Sequence, residues 1–185
     1  MNRAEVRRTA QLTEASAILT RLPAEGESLH AIMTGRYDLA HVLVVLLDRI
    51  GPAEAVRVAT LSFNAKNLAE LLSLLDKGKA SRLTLLCSAF FKAHNTELWE
   101  EALAEFRDRG QRIAAGRSHA KIVCIDLGAR GKWTVSGSAN MRSNSNAEQV
   151  EITRAAGVHD FFASWIDSVV DRHEPENDDD EPEGG

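Results

Sequence analysis

The segment from Glu54 to Phe90 most constrains the fold, because two short apolar runs flank an amphipathic helix pattern. AVRVATLSF reads as a strand, NAKNLAELLSLLDKG as a helix closed by Gly78, and SRLTLLCSAF as a second strand. Two strands joined by a helical crossover lie parallel, and the crossover is right-handed. The expected class is therefore α/β, with a mixed, largely parallel β-sheet flanked by helices.

The rest of the chain fits around that unit. Residues 3–22 place Val6, Leu12, Ala15, Ile18, Leu19 and Leu22 at helical spacing before Pro23, and a polar loop follows to about Ser28. Asp38 opens a nearly all-round apolar stretch that Gly51-Pro52 ends, the pattern of a buried helix. Thr96 to Arg109 puts Leu98, Trp99, Ala102, Leu103 and Phe106 on one helical face, and QRIAAG gives a short strand. HAKIVCID and WTVSGSAN, joined by the turn GARGK, read as a β-hairpin over 119–140. EQVEIT is a further strand and HDFFASWIDSVVDR a closing helix. The expected organisation is a helical N-terminal extension over 1–53 packing on the core, a main domain over 54–170, and a disordered acidic tail over 171–185.

Charge is unevenly placed. The net of -5 comes from the last fifteen residues, which hold eight carboxylates and Arg172; residues 1–170 carry 21 Lys and Arg against 19 Asp and Glu. That balance permits a polyanionic partner. Cys87 and Cys124 sit inside apolar strand patterns and read as reduced core residues. The longest apolar run, HVLVVLL at 41–47, falls short of a membrane span, and Met1 is followed by charged NRAEVRR in place of an apolar leader. These features lead to the expectation of a cytoplasmic protein.

The chemistry is concentrated in the hairpin. His119 and Lys121 alternate onto one face of a strand, Ser138 and Asn140 share a face on the return strand, and the hairpin brings the four together. Gly137 among them leaves room for a ligand near the backbone. The set suits a phosphodiester: Lys supplies charge, Ser and Asn supply neutral donors, and His attacks phosphorus or carries a proton near neutral pH. It requires no metal and no cofactor.

His119-x-Lys121-x4-Asp126 followed by Gly137-Ser138-x-Asn140 resembles the HKD motif of the phospholipase D superfamily, and the order of elements over about 54–170 is similar to that family's. One departure is the ten residues between Asp126 and Gly137, where the family has about six; GARGK places the extra ones at the hairpin tip. The resemblance implies a phospholipase D-like fold and catalytic roles for His119, Lys121, Ser138, Asn140, Asp126 and Glu148. Asp126 is more in keeping with a supporting role. Glu148, in an N-A-E context, would receive a hydrogen bond from His119; Glu151 is the alternative and points to the other face.

With one motif per chain, the resemblance also implies a homodimer in which each subunit supplies half of the site. One His119 would attack phosphorus while the other protonates the leaving oxygen, and water would then hydrolyse the phosphohistidine. Lys121, Ser138, Asn140, Arg117 and Arg142 are the candidate substrate contacts. The first reading is a metal-independent nuclease acting on DNA or RNA. A phospholipid-hydrolysing phospholipase D is an alternative; a non-catalytic nucleic-acid-binding or scaffold subunit is another, and residues 1–53 would then suit a protein partner. Trp133 and Trp165 read as core or interface residues before base-stacking ones, and Arg112, Arg130 and Lys132 either line a groove with Arg117 and Arg142 or are solvated.

Overall fold

The structure, a computed structural model, describes residues 3–34, 37–141 and 146–175. Its elements in order are α1 (Arg3–Ile18), β1 (Glu27–Met33), α2 (Leu39–Ile50), β2 (Ala55–Ala59), α3 (Ala65–Asp76), β3 (Leu83–Ser88), α4 (Ala89–His94), α5 (Thr96–Asp108), β4 (Arg112–Gly116), β5 (Ile122–Asp126), β6 (Lys132–Gly137), β7 (Glu148–Arg154) and α6 (Ala156–His173). The strands form one seven-stranded sheet in the order β1-β7-β6-β5-β2-β3-β4.

The expected β2-α3-β3 unit is present, and β2, β3 and β4 are parallel neighbours. The remaining four pairings, β2 with β5, β5 with β6, β6 with β7 and β7 with β1, are antiparallel. The sheet is mixed and flanked by helices as expected, but its parallel share is smaller, because a meander of β5, β6 and β7 extends it on one side. Its hairpin is in register: Ile122 faces Ser136 and Asp126 faces Lys132, with a short 3-10 turn at 128–130 absorbing the extra residues.

Alternation sorts the side chains onto two cores. One face of the sheet, with Val56, Val58, Leu85, Val123, Ile125, Trp133, Val135, Val150 and Ile152, packs beneath α2, α3 and α5 in the larger cluster. The other face contributes Ala59, Leu86, Ala114, Ile122 and Cys124 to a smaller cluster closed by Ala163, Ile166, Val169 and Val170 of α6. Arg57 on β2 forks onto Asp167 of α6 at 2.8 and 2.9 Å and fixes how that helix crosses the sheet.

The segment expected to be a helical extension is more deeply built in. Glu27–Met33 is a strand paired with β7 along its length, and Leu43, Leu46 and Met33 belong to the same core as Val56 and Leu85. The expected boundary at residue 54 thus cuts through one core. α2 is capped by Asp38 and α3 by Asn64, whose side chains accept from the backbone N–H of His41 and Asn67. α1 is pinned by Arg8, whose guanidinium bonds Glu70 of α3, and by Arg49 of α2, which reaches Ser16 Oγ at 2.6 Å. Burial pushes the Glu70 carboxyl up, but Arg8 outweighs it and the group sits below its ordinary value.

Leu46 is 0% exposed. Leu46→Ala is expected to lower stability by about 2–5 kcal/mol in urea unfolding, in a single transition shared by the whole chain; a detached N-terminal extension would leave the main transition in place. Burial pushes both thiols, Cys87 and Cys124, up to about 12. The native protein is therefore expected to leave Ellman's reagent unreacted at neutral pH, and the urea-unfolded protein to titrate both cysteines.

Candidate functional site

β1, β2, β3, β4 and β6 run toward one edge of the sheet, and β5 and β7 start from it. The loops at this edge carry the motif, at the carboxyl ends of the parallel strands where α/β sheets place their sites. His119 and Lys121 lie in the link from β4 to β5, and Ser138 and Asn140 follow the end of β6. None of the four is inside a strand, contrary to the expectation of strand positions; both strands stop where the chain turns to build the site.

Local contacts still impose alternation. Ser118 N–H donates to Gly116 O at 2.9 Å, and Ser118 Oγ accepts from Ala120 N–H at 3.1 Å. Ala120 packs against the cluster beneath α6, and Lys121, one ladder step beyond Ile122 of that same cluster, is turned the other way. His119 is exposed and Lys121 half-buried, and Lys121 Nζ donates to His119 O at 2.8 Å.

One ladder step joins the two halves of the motif: Gly137 N–H donates to Lys121 O at 3.3 Å, one pair beyond Ile122 and Ser136. Ser138 then turns onto β7. Its N–H donates to Gln149 O at 3.0 Å, its Oγ accepts from Gln149 N–H at 3.0 Å, and its hydroxyl donates to the Glu148 carboxylate. A Cβ at position 137 would lie 2.1 Å from Gln149 O. Gly137 is thus required by the backbone of β7, a correction to the expectation that it makes room for a ligand.

Asn140 is half-buried and anchored on both sides. Its carbonyl accepts from Leu39 N–H at 3.4 Å, and Met141 N–H next to it donates to Thr60 Oγ1 at 3.3 Å. The Asn140 Oδ1 is buried without a partner among the described residues.

Asp126 is placed elsewhere. It closes β5 at the opposite edge, about 16 Å along the strand from Lys121, and its Oδ1 accepts from Gly128 N–H at 2.8 Å. That is turn support, in keeping with the supporting role favoured from the sequence. Glu151 faces the α6 side, where it accepts from Thr153 Oγ1 at 3.3 Å; Glu148 is the carboxylate at the motif edge. Arg117 is exposed at that edge, and Arg142 lies outside the described residues.

The other basic residues do not form a groove with them. Arg112 bonds Asp171 and Glu174, Arg130 bonds the carbonyls of Ile50 and Pro52, and Lys132 bonds Asp160, all at the far edge. Trp133 is 3% exposed with the Arg154 guanidinium 5.4 Å from its ring centre, and Trp165 is half-buried on the α6 cluster. Residues that the sequence did not flag include Thr60 and the buried group Asp38, His41 and Asn67 beside the motif loop. In that group His41 Nδ1–H donates to Asp38 Oδ1 at 2.7 Å and Asn67 Nδ2–H to Asp38 Oδ2 at 2.9 Å. Only the N-cap pattern at Asp38 hinted at it. Among the described residues no three His, Cys, Asp or Glu side chains are grouped as a metal site, and no helix is long and apolar enough to cross a membrane.

No protein-family model matches the chain, and no curated protein matches it. Solved structures do. Nuc, a phospholipase D family member from Salmonella typhimurium, superposes with a TM-score of 0.59 at 14% identity, over 82% of this chain and 100% of Nuc. NucT from Helicobacter pylori gives 0.59 at 17% identity, over 81% of this chain and 100% of NucT. Phosphatidylserine synthase from Haemophilus influenzae gives 0.53 at 12% identity over 80% of this chain, which spans 39% of that protein. At these identities the likeness is one of architecture, and the chain has the phospholipase D-like fold.

Proposed function

We propose that the chain is a phosphodiesterase of the phospholipase D superfamily, acting as a nuclease on DNA or RNA without a metal, with one site shared by two copies. The observation that carries this reading is the ladder step from Gly137 to Lys121, which sets His119-x-Lys121 beside Ser138-x-Asn140 at one sheet edge. The likeness of architecture to Nuc and NucT, matched over 100% of each, supports a phospholipase D-like unit of this size.

In the proposed reaction, one His119 ring nitrogen forms a bond to phosphorus as the bond to the leaving oxygen breaks. The partner subunit's His119, protonated, gives that oxygen its proton and then takes one from the attacking water, which releases the first His119. Lys121 and Asn140 of both copies hold the non-bridging oxygens. Glu148, already joined to Ser138, is the proposed carboxylate that orients His119.

Purified protein is expected to cut nucleic acid in excess EDTA, and His119→Ala to slow cutting by about a thousandfold or more with the mass in solution still that of two chains. Activity that appears only with added divalent metal, or an active monomer, would overturn the reading. A phospholipid substrate run alongside DNA and RNA separates the lipid alternative. The rate should be bell-shaped in pH, because one histidine must be neutral while its equivalent is protonated; a single sigmoid would remove the shared pair.

A further inference from the structure

One aromatic pair is left in solvent beside the motif. Phe90 of α4 is 65% exposed, whereas its neighbour Phe91 is buried and packs on Phe63 at 4.4 Å between ring centres. The Phe90 ring stacks on the exposed His94 imidazole, 4.0 Å between centres with 27° between planes, and His94 Nδ1–H donates to Phe90 O at 2.8 Å. Stacking covers one face of each ring and leaves the rest of both rings in water.

That surface is rigidly placed. Ser88 caps α4 by accepting from Phe91 N–H at 2.9 Å, and donates from its hydroxyl to Leu61 O at 2.8 Å. Ser88 is also the pair of Gly116, from which the Arg117–Lys121 link departs, and Leu61 adjoins Thr60, which holds Met141 of the other motif loop. β3 is the next strand but one to β5, so α4 starts on the order of 10 Å from the motif. Phe63, Phe91 and Trp99 belong to the core on the side of the sheet away from α6, the side to which Lys121 is turned.

We infer that Phe90 and His94 are a stacking platform for an unpaired base of a single-stranded nucleic acid whose phosphodiester lies at His119; this rests on the phosphodiesterase reading. A base stacks on any aromatic face, but in a duplex both faces are already covered by neighbours. The surroundings favour a strand over a second copy of the chain. Lys92 on the same helix and Arg117 on the adjacent link are exposed, and single-strand sites combine cations with aromatics, whereas the centres of protein interfaces are depleted of Lys.

The test measures binding of a fluorescein-labelled oligothymidylate by anisotropy, in a His119→Ala background that leaves the strand intact, with and without Phe90→Ala or Phe90→Trp. Phe90→Ala should weaken the single strand about tenfold, Phe90→Trp should retain it, and a duplex of equal length should be insensitive to either. Hydrolysis of bis(4-nitrophenyl) phosphate by the Phe90→Ala chain with His119 intact should be unchanged. Equal single-strand affinity with and without the Phe90 ring overturns the platform, as does dissociation of the dimer by Phe90→Ala, which would assign the ring to an interface between copies. A chain that loses single-strand binding on Phe90→Ala yet hydrolyses neither nucleic acid nor bis(4-nitrophenyl) phosphate keeps the platform and sinks the phosphodiesterase reading alone.

Discussion

The antiparallel register of β5 and β6 is the constraint on which the site depends. Ile122 opposite Ser136 sets Gly137 N–H on Lys121 O, and with it the approach of two loops that are far apart in covalent terms. A slip of one residue would send Val123 and Val135 out of the larger core and turn Cys124 and Thr134 into it. The apolar content of the strands therefore enforces the geometry of polar residues that contribute nothing to burial themselves.

β7 completes the edge through backbone proximity. Its Gln149 carbonyl lies where a side chain at 137 would be, and its N–H and carbonyl both engage Ser138. The hydroxyl of Ser138 is thereby committed, accepting from the backbone and donating to Glu148. A hydroxyl held in this way orients a carboxylate at the start of β7 and couples Glu148 to the end of β6. Asn140, tied through its own carbonyl to the start of α2, links the same edge to the helical layer.

The sequence was most legible where short-range rules decide. The strand, helix, strand unit, the hairpin and the caps of α2 and α3 follow from apolar period and Asp or Asn at the right offset. β1 was not legible: ESLHAIM puts only Leu29, Ala31 and Met33 inward, between Ser28, His30 and Ile32, and its strand identity comes from pairing with β7, 115 to 127 residues away, with Met33 opposite Glu148 at one end and Glu27 opposite Arg154 at the other. The antiparallel pairings beyond that hairpin are hidden from the sequence for the same reason, since strand neighbours are set by tertiary packing. Motif residues were identified by spacing, but their separation in space was not: Asp126 shares five consecutive strand positions with the site side of β5 and still ends at the opposite edge.

Charge shows why the edge that carries the motif differs from the far one despite the net of -5. At the far edge Arg112 and Lys132 are each held by a carboxylate, and Asp160 raises the Lys132 ammonium above its ordinary value. Those cations are neutralised locally and contribute little field beyond a Debye length. At the motif edge Lys121 is held by a neutral carbonyl, and Lys92 lies over the Trp99 ring at 5.0 Å. Neither contact cancels a full charge. The cations of the motif edge therefore keep charge that Arg112 and Lys132 share with carboxylates, and Glu148, joined to Ser138, is the carboxylate set beside them.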